Sequence, residues 1–224
     1  MSIPLYSSVT KKIIMSLAGL FLITFLLVHL AINSFILFDP TRELFNAGAH
    51  FMMTNPLIQT FQWVLFGGFI IHIIFGVVLQ IQNWIARPKG YKRKAVSEES
   101  YFSKFMIHTG VLVFIFLVIH FVNFFFVSKG MIGDMQEIQY GHITYEDLGA
   151  VVVALFQNGG YVVFYVVALL ILGFHLDHAF QSAFQSLGLS SPKYTPFIKG
   201  LGHVLSIGIT VGYILIPLVI YFNK

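Results

Sequence analysis

SLAGLFLITFLLVHLAIN (Ser16–Asn33) holds no charged residue and a single histidine. As a helix, its eighteen residues reach about 27 Å, close to the ~30 Å hydrocarbon thickness of a bilayer. The apolar run around it extends from Ile13 to Phe38, too long for a signal-peptide core, and no small-residue cleavage site follows. It is expected to be a retained first span.

The rest of the chain repeats this composition. Of 224 residues, 57% are hydrophobic and 10% charged, and the mean hydropathy is +0.84. Soluble domains are about a quarter charged, so the composition implies an integral membrane protein. There is no cysteine. Disulfides, thiolate zinc sites, cysteine-ligated iron–sulfur clusters and covalent c-type haem are therefore excluded. Metal-binding capacity rests on nine histidines.

Five stretches are long enough to span, at roughly 12–37, 57–85, 104–127, 150–184 and 197–222, in one domain covering 1–224. The fourth starts at Ala150 or at Gly160, because Asn158-Gly159-Gly160 is able to break it. Loop charge sets the expected orientation. Ten of the thirteen basic residues fall on one side: Lys11, Lys12, Arg87, Lys89, Lys92, Arg93, Lys94, Lys104, Lys193 and Lys199. Arg42, Lys129 and Lys224 fall on the other, beside Asp134, Glu137, Glu146 and Asp147. By the positive-inside rule the N-terminus is cytoplasmic and the C-terminus outside. No segment between spans exceeds roughly 30 residues, so no soluble catalytic domain is encoded. The basic charge is a topology signal; no nucleic-acid partner is expected.

His29, His72, His120 and His175 lie one each in the first four spans. A lone membrane histidine is usually an interhelical hydrogen-bonder. Four spans supplying one apiece is the pattern needed by two bis-imidazole haems, each taking two histidines from facing helices at one depth. His29 lies 17 residues past Lys12 and His120 16 past Lys104, about 25 Å in. His72 lies 12 residues before Trp84 and His175 9 before Phe184, about 14–18 Å in. Depth therefore pairs His29 with His120 and His72 with His175.

The neighbours are small or polar. Gly68, His72 and Gly76 share one helix face, leaving room for a flat macrocycle or simply letting helices pack. Ala168, Ala179 and Ser182 stand similarly around His175. Asn33 and Asn123, one turn beyond His29 and His120, are candidates for orienting a ring, bonding a propionate or bridging helices.

The residues SLAGLFLITFLLVHLAIN, GGFIIHIIFG (Gly67–Gly76), LVFIFLVIHFVN (Leu112–Asn123) and GFHLDHAFQSAFQSLG (Gly173–Gly188) together resemble the di-haem cytochrome b (b558-type) subunit of type B succinate dehydrogenase and fumarate reductase. The likeness runs over essentially the whole chain, including helix number and loop charge. It implies an all-α membrane protein of five helices, the first four bundled around two haems b and the fifth peripheral. It implies an anchor in a bacterial cytoplasmic membrane for a flavoprotein and an iron–sulfur subunit, passing electrons to or from menaquinone. A dimer of such heterotrimers is among the assemblies it allows. His72 and His175 would hold the proximal haem, and His29 and His120 the distal one. Succinate chemistry would belong to the flavoprotein, so no catalytic residue is sought here. Arg87, Lys104 and Lys193 are candidates for proximal propionates, and the basic face for docking the iron–sulfur subunit. The family's quinone site is expected near the distal haem, and some members use an acidic residue at the I–II connection. Here that stretch is FDPTRELFNAGAHFMMTNP (Phe38–Pro56), which offers Glu43 and His50; His50 is the preferred candidate, and Glu43 reads rather as a solvated partner of Arg42.

Two alternatives stand beside this reading. One is the di-haem cytochrome b of a hydrogenase or nitrate reductase; the other is a transporter relaying protons through intramembrane His and Asp. LILGFHLDHAFQSAF (Leu170–Phe184) is where they meet, with His175, Asp177 and His178 crowded together. On a helix Asp177 lies about 200° from His175 and is expected to face a basic partner among Lys11, Lys12 and Lys199. His178 lies about 60° away, a position suited to a propionate, the fifth helix or a partner subunit.

Overall fold

Ser7 starts the first helix, its Oγ accepting from the Thr10 N–H at 3.1 Å as an N-cap. The computed structural model describes residues 7–86 and 105–223. In chain order these form α1 (Ser8–Phe38), α2 (Glu43–Thr54), α3 (Pro56–Ala86) and α4 (Met106–His120). A π-helical turn (Phe121–Phe125) and α5 (Phe126–Ser128) continue α4. A hairpin of β1 (Glu137–Tyr140) and β2 (Ile143–Glu146) precedes α6 (Leu148–Phe156), α7 (Gly159–Ser186) and α8 (Thr195–Phe222). The helices α1, α3, α4 with its continuation, α7 and α8 are long and apolar enough to cross a membrane. The architecture is all-α with five such spans; the short hairpin lies in a connection.

The fourth span differs from the expected 150–184. Asn158 turns its side chain back to accept from the N–H groups of Gly160 at 2.8 Å and Tyr161 at 3.4 Å, which starts a new helix. Ala150 therefore belongs to the separate α6, and the span is Gly159–Ser186.

Within the bundle, α1 packs on α3 and on α7, and α7 packs on α4, making three sides of a square. The fourth side, between α3 and α4, is barely closed, and the diagonals α1/α4 and α3/α7 scarcely touch. The fifth span, α8, packs outside the square against α7 and α1. Lipid offers no hydrophobic drive between helices, so close backbone approach and interhelical hydrogen bonds set these seams. A Cβ on Gly173 would collide with the Thr210 hydroxyl of α8, and one on Gly212 would lie 2.8 Å from Leu30 of α1. The Tyr213 hydroxyl donates to the Leu26 carbonyl at 2.8 Å, tying α8 to α1. Burial follows the seams: Leu169, Leu172, Leu176 and Phe180 of α7 cluster with Ile23 of α1 and Ile209 of α8.

One end of the bundle is closed by a polar latch between the connections. Arg42, left-handed at φ 66°, sends its guanidinium to Asp147 with Nη2 at 2.9 Å and Nε at 3.3 Å. Glu43, the partner expected for Arg42 as an alternative, is exposed instead. Asn46 is 1% exposed; its amide donates to Asp147 Oδ1 and accepts from the Gly149 N–H, both at 2.9 Å. Burial opposes ionisation of Asp147, but the hydrogen bonds from Arg42, Asn46 and the Ala150 N–H outweigh it and hold the carboxyl below the usual carboxylate range.

Asn46→Ala leaves the buried Gly149 N–H without its partner and removes one of the bonds to Asp147 Oδ1, a cost of about 1–3 kcal/mol, and should lower the thermal unfolding midpoint in detergent while leaving helical content intact. Because the native pKa of Asp147 is depressed below 3.8, its contribution is fully present above that value and is lost as pH falls through the native pKa. Asp147→Asn should therefore flatten the acid limb of a stability–pH curve.

Candidate functional site

The four spans of the square each bring one imidazole to its centre. His29 of α1 faces His120 of α4, ring centres 5.9 Å apart and planes at 84°. His72 of α3 faces His175 of α7, ring centres 6.3 Å apart and planes at 76°. Each pair thus bridges one diagonal, where the backbones do not meet. The His72–His175 pair bonds to residues near the starts of α1 and α4, whereas His29 and His120 lie far along those helices.

The pairs differ in what holds their rings. His72 Nδ1 is 3.4 Å from the Met15 carbonyl, which only accepts, so Nδ1 carries the proton and Nε2 is left with its lone pair. His175 Nδ1 is 3.2 Å from Thr109 Oγ1. Two glycines stand beside these rings, with room for a methyl group but not for a longer side chain. A Cβ on Gly19 would sit 3.4 Å from His72 Cε1, and one on Gly110 3.5 Å from His175 Cε1. At the other pair, His29 stacks on Phe25 at 5.2 Å, and Tyr213 stands 6.1 Å away. Phe116, Phe124 and Tyr165 surround His120, whose Nδ1 is buried without a hydrogen-bond partner.

Two imidazoles bound on opposite sides of one metal at about 2 Å each have ring centres about 6 Å apart. Both pairs match that span. Among the described residues no group of three or more His, Cys, Asp or Glu gathers to hold a metal ion. Each pair offers a metal at most two imidazole nitrogens, so a metal held there would need further ligands of its own. Gly76 faces open space, leaving room beside His72, while Gly68 is taken up by helix packing, its Cβ position 3.3 Å from the Phe21 ring.

The other candidates are placed as follows. Asn33 donates to the His29 carbonyl at 2.7 Å, within its own helix, and Asn123 donates to the Tyr165 hydroxyl at 3.0 Å, bridging to α7. Asp177 pairs with His203 of α8 at 2.6 Å, with Ser206 and Gln181 also bonding to it. That replaces the lysine partner expected among Lys11, Lys12 and Lys199, because Asp177 points along the α7–α8 seam. His178 is half-buried. Lys193 is exposed between α7 and α8, its ammonium 5.4 Å from the Tyr194 ring centre. Arg87 and Lys104 lie outside the described residues. His50 and Glu43 are exposed on α2, with His50 against Tyr145 at 5.3 Å.

A shallow, open groove of about 580 Å³ lies between the end of α4 with its π-helical continuation and the start of α7; His120 does not line it. Val118, Ile119, Val122 and Phe164 form apolar walls, and Asn123, Asn158 and Tyr161 supply polar groups. The π-helical turn beginning at Phe121 carries Asn123 at this edge; such turns recur at functional sites. Gly19, Thr109, Gly110 and the groove were not foreseen from sequence, since their roles depend on which neighbour each helix turns toward. Compared with protein-family models, curated proteins and solved structures, the chain matches none.

Gly19→Leu and Gly110→Leu each place a branched side chain against one ring of the His72–His175 pair. Nitrogen NMR of either purified variant should show shifted His72 or His175 imidazole resonances, with those of His29 and His120 unaffected.

Proposed function

We propose that this chain is the di-haem cytochrome b anchor of a succinate:quinone oxidoreductase, in a bacterial cytoplasmic membrane with its N-terminus on the cytoplasmic side. The observation that carries the reading is the two facing imidazole couples, 5.9 and 6.3 Å between ring centres, drawn from four different spans. Haem b bound between such couples supplies reversible one-electron chemistry inside the membrane. His72 and His175 hold the proximal group and His29 and His120 the distal one. The Met15 carbonyl engages His72 Nδ1 and so leaves Nε2 as the ring nitrogen free to bind. Phe116, Phe124 and Tyr165 keep water from the distal pair.

The described connections are small: α2, a four-residue-stranded hairpin and α6. Succinate oxidation or fumarate reduction is therefore assigned to a flavoprotein partner, joined through an iron–sulfur subunit on the basic face. Menaquinone is the membrane substrate. The open groove between α4 and α7 supports this, being apolar and edged by amide and phenol groups able to bond a quinone carbonyl.

A reduced-minus-oxidised spectrum should show a b-type α band, with two haems per chain. His72→Ala and His175→Ala should each leave one haem, and His178→Ala should leave both. No b-type band from the folded protein, or co-purification with a nickel or molybdenum subunit in place of a flavoprotein, would overturn the proposal.

A further inference from the structure

We infer that Thr109 is a positioning residue for His175, fixing its tautomer and ring angle through a two-bond relay; the inference rests on the haem-binding reading above. Thr109 Oγ1 makes two contacts, to the Met106 carbonyl at 3.0 Å and to His175 Nδ1 at 3.2 Å. A hydroxyl has one proton, and a carbonyl only accepts. The hydroxyl proton therefore goes to Met106, and Oγ1 accepts from His175 Nδ1–H. This leaves Nε2 unprotonated, with its lone pair free, in a ring whose centre lies 6.3 Å from that of His72. Gly110, the next residue, completes the seat. His175 Cε1 lies 3.5 Å from the position a Cβ would take there, room for a methyl group but not for a longer side chain on that side of the ring. Thr109 supplies the hook and Gly110 the floor.

The relay belongs to one pair only. His120 Nδ1, at the other pair, is buried without a partner. Partners of this kind raise the basicity of a metal-bound imidazole, and their loss typically costs about 10–100-fold in affinity. The two pairs thus form an internal comparison within a single chain.

Thr109→Val keeps the shape of threonine and removes the acceptor. In haemin titrations and redox potentiometry on the full chain, the His72–His175 centre should lose about 10–100-fold in affinity, and its midpoint potential should rise as the ligand becomes less basic. The His29–His120 centre should be unchanged, which also reports that the variant is folded. Thr109→Ser should restore both values. Histidine nitrogen NMR of the haem-free protein gives a second readout: the Nδ1–H tautomer of His175 should be present in the parent and in the serine variant, and become mixed in the valine variant. Two haems with unaltered affinity, potential and tautomer in Thr109→Val would overturn the positioning role while leaving the cytochrome reading in place. A parent protein that binds no b-type haem would overturn both.

Discussion

An imidazole in hydrocarbon carries two polar ring nitrogens that water does not reach, so each nitrogen left without a partner is costly. That constraint governs the centre of this bundle. Four helices each carry one such ring, and the square arrangement of α1, α3, α4 and α7 turns all four inward. Helices on a diagonal do not pack against one another, so their rings meet across the space that backbone contact leaves empty. The open seam between α3 and α4 belongs to the same economy of contact: helices held mainly through a shared neighbour leave room between them. The remaining elements serve to keep α1 and α7, the helices that carry this arrangement, in register.

The two couples are chemically unequal. Around His72 and His175 the Nδ1 atoms are engaged by a backbone carbonyl and a hydroxyl, with glycines beneath both rings. Around His29 and His120 the surroundings are aromatic, and one ring nitrogen is left bare. The first environment fixes ring angle by directed bonds. The second fixes it by shape. Two groups of the same kind bound in these places would differ in ligand basicity and in the polarity around them, two levers by which a protein tunes redox centres.

Support for the square comes from outside it. The α8 helix is joined to α7 where Gly173 admits Thr210 and where Asp177 meets His203, and to α1 through Tyr213 and Gly212. At the end closed by α2 and α6, the Arg42–Asp147–Asn46 latch ties two connections that are about a hundred residues apart in sequence. Arg42 adopts a left-handed conformation that a non-glycine residue takes at some cost, and the paired bonds to Asp147 offset it.

Length and hydropathy placed the spans from sequence, because a helix advances a constant 1.5 Å per residue and hydrocarbon has a set thickness. The same linear count paired the histidines by depth, and the ring distances of His29–His120 and His72–His175 agree with that pairing. What counting residues leaves open is rotation about each helix axis and the identity of the neighbour. Asp177 was legible as a residue turned away from His175 but not as the partner of His203. Thr109 and Gly110 carried no signal, because they act on a ring 65 or more positions away. The break before α7 was readable as an alternative, and it was decided when Asn158 capped the new helix. Sequence alone set depth, since depth is local and additive along a helix. Which rings face, which glycines lie beneath them and which connections lock together were decided only by tertiary structure, because azimuth and adjacency arise from all the helices packing at once.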